Sequence, residues 1–129
     1  MNVSRPIASD PVLVVDDDAV VCEVLTHLLQ ALGYSAICAP TADTGRLALQ
    51  SGPRWRALMI DKGIESDGGL RLLTRAASEH PHAIPILITG GSVDPIAAAA
   101  FQGLRVLHKP FTLAELRSVL TTESSSAAS

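Results

Sequence analysis

No apolar run in the sequence approaches the ~18 residues needed to cross a bilayer. The first ten residues, MNVSRPIASD, lack the apolar core of a secretory signal. Basic residues are few: Lys and Arg number 10 against 13 Asp and Glu, the net charge is −3, and no basic run occurs. That balance argues against a nucleic-acid surface. Cysteine is limited to Cys22 and Cys38, without a CxxC spacing or a His-rich context. The two read as reduced, buried, structural thiols of a cytoplasmic protein, with a redox pair as the lesser alternative. Internal repeats are lacking, and so is any linker toward a second domain.

What is present is a globular composition, 47% hydrophobic and 18% charged over 129 residues, enough for one domain with a single core. Residues 1–10 are polar and aperiodic and read as a flexible leader. Residues 11–121 form the domain, and the Ser-rich 122–129 read as a disordered tail. Within the domain, short apolar runs alternate with segments of helical spacing. The runs are Val12–Val15, 35–39, 57–60 ending at Asp61, 84–89 and 105–108. Over 19–33, Val21, Val24, Leu25, Leu28 and Leu32 recur at helical spacing, and Gly33 stands where the helix should stop. Further helices are predicted over 42–51, from Leu70 to about His80, and from Pro95 with Asp94 as its cap. Thr112 and Glu115 have capping-box spacing and open the last helix, with Leu113, Leu116 and Leu120 on one face. Five alternations of strand and helix predict an α/β fold: a five-stranded parallel sheet, doubly wound.

In such sheets ligands gather at the carboxyl ends of the strands. There the chain places Asp16 and Asp17 after the first strand, Asp61 after the third, Thr89 after the fourth, and Lys109-Pro110 after the fifth. Three carboxylates in one pocket cannot all stay ionised unless positive charge joins them. A hard cation supplies it, and Mg²⁺ suits one or two carboxylates with waters and a phosphate. Asp61 can then act as a nucleophile toward a phosphoryl group, making an aspartyl phosphate. The cation, the Lys109 ammonium and the Thr89 hydroxyl each have one phosphoryl oxygen to take. Asp18 is expected to cap the first helix. A nucleotide site is excluded, since acids stand where a Gly-rich phosphate cradle is required. His27, His80, His82 and His108 lack metal-ligand spacing and read as structural or solvated.

The pieces VLVVDDD, LMID, ILITGG and LHKPF lie 44 residues apart from Asp17 to Asp61, then 28 to Thr89 and 20 to Lys109. In this order they resemble the receiver domain of two-component response regulators, including the stand-alone chemotaxis type, over about residues 11–121. The resemblance implies a flavodoxin-like strand order, 2-1-3-4-5. It implies Asp61 as phosphoacceptor, with Mg²⁺ bound directly by Asp17, largely through water by Asp16, and by Asp61 and the Gly63 backbone carbonyl. Thr89 would be the switch hydroxyl, Lys109 the phosphate-pairing lysine, and the Lys109–Pro110 peptide cis. The implied function is a phosphorylation-controlled switch rather than an enzyme acting on other molecules. Its donor would be a sensor histidine kinase or a histidine phosphotransfer protein. Its output would be a partner protein met by the face of helix four, strand five and helix five, a relayed phosphate, or a homodimer. It would act in the cytoplasm, away from nucleic acid and membrane.

Departures from that pattern are specific. Val106 stands where an aromatic is usual, Glu65 where a Pro is usual, and Asp67 where an apolar residue is usual. Gly63 and Gly91 replace side chains that tune hydrolysis of the acyl phosphate, and Gly90 leaves room at the mouth of the site. Lys62 and Glu65 are expected to form a local ion pair, and the Ala97–Ala100 run to serve tight helix packing. Two other readings compete. One is a degenerate receiver acting as a phosphorylation-independent docking module, suggested by Val106 and the altered loop. The other is a haloacid-dehalogenase-type phosphatase, suggested by Asp16-x-Asp18 after the first strand; no acidic pair follows the lysine to hold its metal, and no cap domain is present.

Overall fold

The structure, a computed structural model, describes residues 10–121. Five strands form one parallel sheet: Val12–Val15 (β1), Ala36–Ala39 (β2), Ala57–Asp61 (β3), Ile84–Thr89 (β4) and Arg105–His108 (β5). Their order is β2-β1-β3-β4-β5, as the resemblance implies. The helices are Ala19–Ala31 (α1), Ala42–Ser51 (α2), Gly69–Glu79 (α3), Pro95–Ala100 (α4) and Leu113–Leu120 (α5). The expected leader, apart from Asp10, and the expected tail lie outside the described residues.

Successive strand side chains point to opposite faces, so a strand covered on both sides must be apolar throughout. Leu13, Val15, Leu58, Ile60 and Leu87 pack on one face with Leu49 of α2 and with Leu72, Leu73 and Ala76 of α3. Val12, Val14, Met59, Ile86 and Ile88 pack on the other with Leu25 and Leu29 of α1 and Leu116 and Leu120 of α5. Burial of each of the Val, Leu, Ile and Met side chains contributes roughly 1.5–3 kcal/mol. The polar residues that follow the strands are therefore held at a rim whose backbone cannot slide.

The predicted caps form. Asp18 accepts from the backbone N–H of Val20 at 2.9 Å and opens α1. Asp94 accepts from Ile96 at 3.0 Å. Thr112 and Glu115 complete a reciprocal capping box.

Four expectations are corrected. Val24 is 45% exposed while Leu29, absent from the predicted stripe, is fully buried; Leu25 and Leu29 are the buried residues of α1, with Val21, Leu28 and Leu32 partly buried beside them. Leu113 likewise is 40% exposed, and Leu116 and Leu120 carry the buried face of α5. The Ala97–Ala100 run gives α4 no buried residue, so it provides no tight packing. Cys22 and Cys38 are half-buried and joined in a disulfide rather than being buried free thiols. β2 pairs with β1 so that Cys38 lies beside Val14, and α1 lies over that edge. The two Cα atoms come within 6.1 Å, inside the span of a disulfide. A spacing of 16 residues along the chain carries no sign of this.

Candidate functional site

Register assembles the rim. Val15 pairs with Ile60, Asp61 with Ile88, and Thr89 with His108. The N–H of Lys62 donates to the Ile88 carbonyl at 2.8 Å, and the N–H of Lys109 to the Thr89 carbonyl at 2.8 Å. Asp16, Asp61, Thr89 and Lys109 are thus neighbours across four strands. The Lys109–Pro110 peptide is cis, as expected. Gly69 is required by close approach: a Cβ there would overlap the Asp61 carbonyl oxygen.

Lys109 sits between two acids. Its ammonium donates to Asp61 Oδ1 at 3.0 Å and lies 3.3 Å from Asp16 Oδ2. Asp16 is only 1% exposed; its Oδ1 accepts from the Asp18 N–H at 2.9 Å, while Oδ2 makes no hydrogen bond among the described residues. Asp17 is exposed, yet carboxylate oxygens of Asp16, Asp17 and Asp61 all lie within 4.8 Å of one another. A buried carboxylate oxygen that makes no hydrogen bond and has only the Lys109 ammonium 3.3 Å away, inside a cluster of hard oxygen donors, fits a divalent cation. Among the described residues the Gly63 carbonyl accepts a 3.3 Å bond from the Asp67 N–H, which leaves it a lone pair for the same role.

The electrostatics agree with that deficit of positive charge. Burial pushes the Asp16 carboxyl up, and the Asp61 charge adds to this; the Asp18 N–H and Lys109 pull it back without cancelling it. Burial pulls the Lys109 ammonium down, but its bond to Asp61 and the charges of Asp16 and Asp61 outweigh burial and raise it. Lys109 is therefore a fixed cation in the pocket at neutral pH.

Thr89 is buried, and its hydroxyl is engaged locally: it accepts from the Gly91 N–H at 3.0 Å and faces the Gly91 carbonyl at 3.3 Å. Asp61, Gly63, Thr89, Gly90 and Gly91 are among the residues lining an open cleft of about 400 Å³. Nothing lies within 4 Å of a Cβ placed at Gly90 or Gly91, so the mouth is wide on that side. Val106, at the place of the expected aromatic, is half-buried and borders a groove of about 220 Å³ against α5.

The segment after the acceptor holds what sequence reasoning missed. Glu65, Ser66 and Asp67 form a left-handed turn with φ of 56°, 56° and 74°, a conformation strained for residues with side chains. Lys62 pairs with Asp67 at 2.8 Å, not with Glu65. Glu65 instead meets Arg46 of α2 at 2.8 Å, and Arg46 also holds Asp43. Arg46 and Glu65 are 19 residues apart, and nothing in their spacing signals the contact. Asp18, whose spacing suggested the phosphatase reading, is engaged in the α1 cap.

A family model for the response regulator receiver domain matches residues 12–121. The chain is 34% identical over 107 residues to the transcriptional regulatory protein PmrA of Pectobacterium parmentieri, covering 81% of this chain and 48% of that protein. It is 32% identical over 116 residues to the nitrogen assimilation regulatory protein NtrX of Azorhizobium caulinodans, covering 87% of this chain and 25% of that protein. The chain therefore spans about half and about a quarter of the length of these relatives. Among solved structures it is similar in fold to a CheY-like receiver domain protein from Methanospirillum hungatei. There the TM-score is 0.75 and the identity 22%, with 84% of this chain and 88% of that chain covered. A response regulator from Burkholderia pseudomallei, solved with a phosphorylated aspartic acid and a calcium ion, gives a TM-score of 0.78 at 22% identity. It covers 92% of this chain and 71% of that one.

Proposed function

The chain belongs to the response regulator receiver domain family of two-component signalling, and on that premise we propose that Asp61 accepts a phosphoryl group and that the event is read out as a changed surface. The observation that supports this most is Lys109 held between Asp61 and the buried Asp16, whose Oδ2 lacks a hydrogen bond. An oxygen of Asp61 forms the new bond to phosphorus while the bond to the donor breaks, and the electron pair leaves with the donor group. Lys109 neutralises charge on the phosphoryl oxygens from a position it already holds. Mg²⁺ bound by Asp16, Asp17, Asp61 and the Gly63 carbonyl would supply the remaining positive charge. The calcium ion and phosphorylated aspartate of the Burkholderia pseudomallei regulator favour this assignment.

Thr89 is the switch hydroxyl in this reading. To meet a phosphoryl oxygen it must leave Gly91, and that draws on the loop before α4. α4 buries no residue and exposes Ile96 to 80%, so a shift there breaks few contacts. The face of α4, β5 and α5 then offers a partner protein, or a second copy, a phosphorylation-dependent surface. The donor is a sensor histidine kinase or a histidine phosphotransfer protein, and the site of action is the cytoplasm.

Intact-mass measurement after incubation with acetyl phosphate and Mg²⁺ tests the reading. One phosphoryl adduct is expected, absent without Mg²⁺ and absent in Asp61→Asn. No adduct, together with no Mg²⁺ binding, would favour a docking module. An adduct retained in Asp61→Asn and lost in Asp16→Asn would favour a phosphatase.

A further inference from the structure

Cys22 and Cys38 lie beside this site and have no part in the chemistry just described. Cys22 stands in the first turn of α1, four residues past the Asp18 cap. Cys38 stands in β2, paired with Val14, two residues before Asp16. Their disulfide therefore ties together the helix and the edge strand that flank the end of β1. The Asp16 backbone is gripped on both sides by this bridge. Its N–H donates to the carbonyl of Ala39, the residue after Cys38, at 3.2 Å. Its carbonyl lies 3.5 Å from the sulfur of Cys22.

We propose that Cys22 and Cys38 are a reversible redox switch whose state sets the cation affinity of the Asp16–Asp17–Asp61 cluster. The proposal rests on the receiver reading of that cluster. As a thiol, Cys22 has a proton to donate to the Asp16 carbonyl; in the disulfide it has none. The bond state of the residue that presents a buried carboxylate to the cation thus changes with the redox state. In a cytoplasmic signalling protein a disulfide is of the transient, redox-sensing kind. Both sulfur-bearing residues are half-buried rather than sealed in the core.

The oxidant is a low-molecular-weight disulfide. One cysteine thiolate attacks it, giving a mixed disulfide and releasing one thiol. The second thiolate then attacks the protein sulfur, forming the Cys22–Cys38 bond and releasing the other. Two protein S–H groups are lost, two external thiols are gained, and the protons pass between them. Bridging restrains α1 against β2 and holds Asp16 and Asp17 in the geometry the cation needs, so the oxidised form binds the tighter. The expected gain is roughly fivefold, the low end of coupling between two sites.

The test uses the full chain equilibrated with reduced or oxidised glutathione. Alkylation and intact mass should show two reactive thiols in the reduced form and none in the oxidised form, with the same far-ultraviolet circular dichroism. Mg²⁺ titration by calorimetry should then give roughly fivefold tighter binding to the oxidised form. The Cys22→Ser, Cys38→Ser double variant should respond to neither. Equal affinity in the two forms, tighter binding by the reduced form, or thiols still alkylated under oxidised glutathione would each overturn the switch while leaving the receiver reading in place. Absence of Mg²⁺ binding and of phosphorylation in both forms would overturn the receiver reading and the switch with it.

Discussion

Replacing Asp16 with Asn separates what this residue does for the fold from what it does for the cation. The carboxylate is 1% exposed, and one of its oxygens has no hydrogen bond. Asn keeps an acceptor for the Asp18 N–H and removes the buried charge. A buried charged oxygen without a hydrogen bond costs about 1–3 kcal/mol or more, attraction to Lys109 offsets part of that, and the neutral amide group that Asn puts in its place costs less. The variant should therefore be more stable than the native chain by about 1 kcal/mol without metal, a rise in Tm of about 4 °C. Adding Mg²⁺ inverts the order. A ligand that binds only the folded state at 100 times its Kd stabilises by about 2.7 kcal/mol, and the variant loses most of this. The pH dependence has a definite sign. Burial, with the Asp61 charge, holds the Asp16 carboxyl above its ordinary 3.8 in the fold, so the cost of ionisation is present above the folded value. It fades as pH falls through that value, and the gap between variant and native should close there. Urea melts at pH 7 in EDTA, at pH 7 in saturating Mg²⁺, and in EDTA down to pH 4 measure all three effects. A variant less stable than the native chain in EDTA at pH 7 would refute the reasoning, since the Lys109 pair would then outweigh burial.

Lys109 is raised by its bond to Asp61 and the charges of Asp16 and Asp61, in spite of burial, so its contribution is fully present below the ordinary value of 10.5. It is lost as pH rises through the folded value; denaturation above pH 10.5 should show a steeper loss for the native chain than for Lys109→Met. Gly69→Ala places a methyl against the Asp61 carbonyl. It should destabilise by about 3 kcal/mol or more and abolish phosphoryl uptake at the displaced acceptor, read by urea melts and intact mass. The Cys22→Ser, Cys38→Ser double variant opens a cross-link of sequence separation 16. It should cost roughly 3 kcal/mol relative to the oxidised native chain, measured by denaturation without reductant. Thr112→Ala removes the acceptor for the Glu115 N–H at the start of α5 and should lower stability by about 1 kcal/mol in the same melts.

Continuous apolar runs and helical spacing made the elements legible, because an apolar run such as Val12–Val15 is stable only when covered on both faces. The candidate site was legible for the same reason. Asp16, Asp61, Thr89 and Lys109 follow apolar strands directly, and parallel pairing leaves those positions no other place than one rim. Asp18, Asp94 and Thr112 were legible as caps because each contact is made within three residues. What failed depended on distance along the chain or on rotation about an axis. Val24 and Leu29 flank Leu25 on the helical wheel, about 140° apart, and only the seating of α1 on the sheet decides which flank is covered.

By itself, then, the order of residues determined the alternation of elements, the sheet, and the acidic rim with its lysine, since local propensity and strand-end position are properties of neighbours in sequence. Tertiary structure alone decided that Cys22 meets Cys38, that Arg46 reaches Glu65, that Lys62 turns to Asp67, and that Asp16 Oδ2 is left without a hydrogen bond. Each of these depends on how a helix or turn is seated against a strand it does not adjoin, and that seating is fixed by the packing of the whole core.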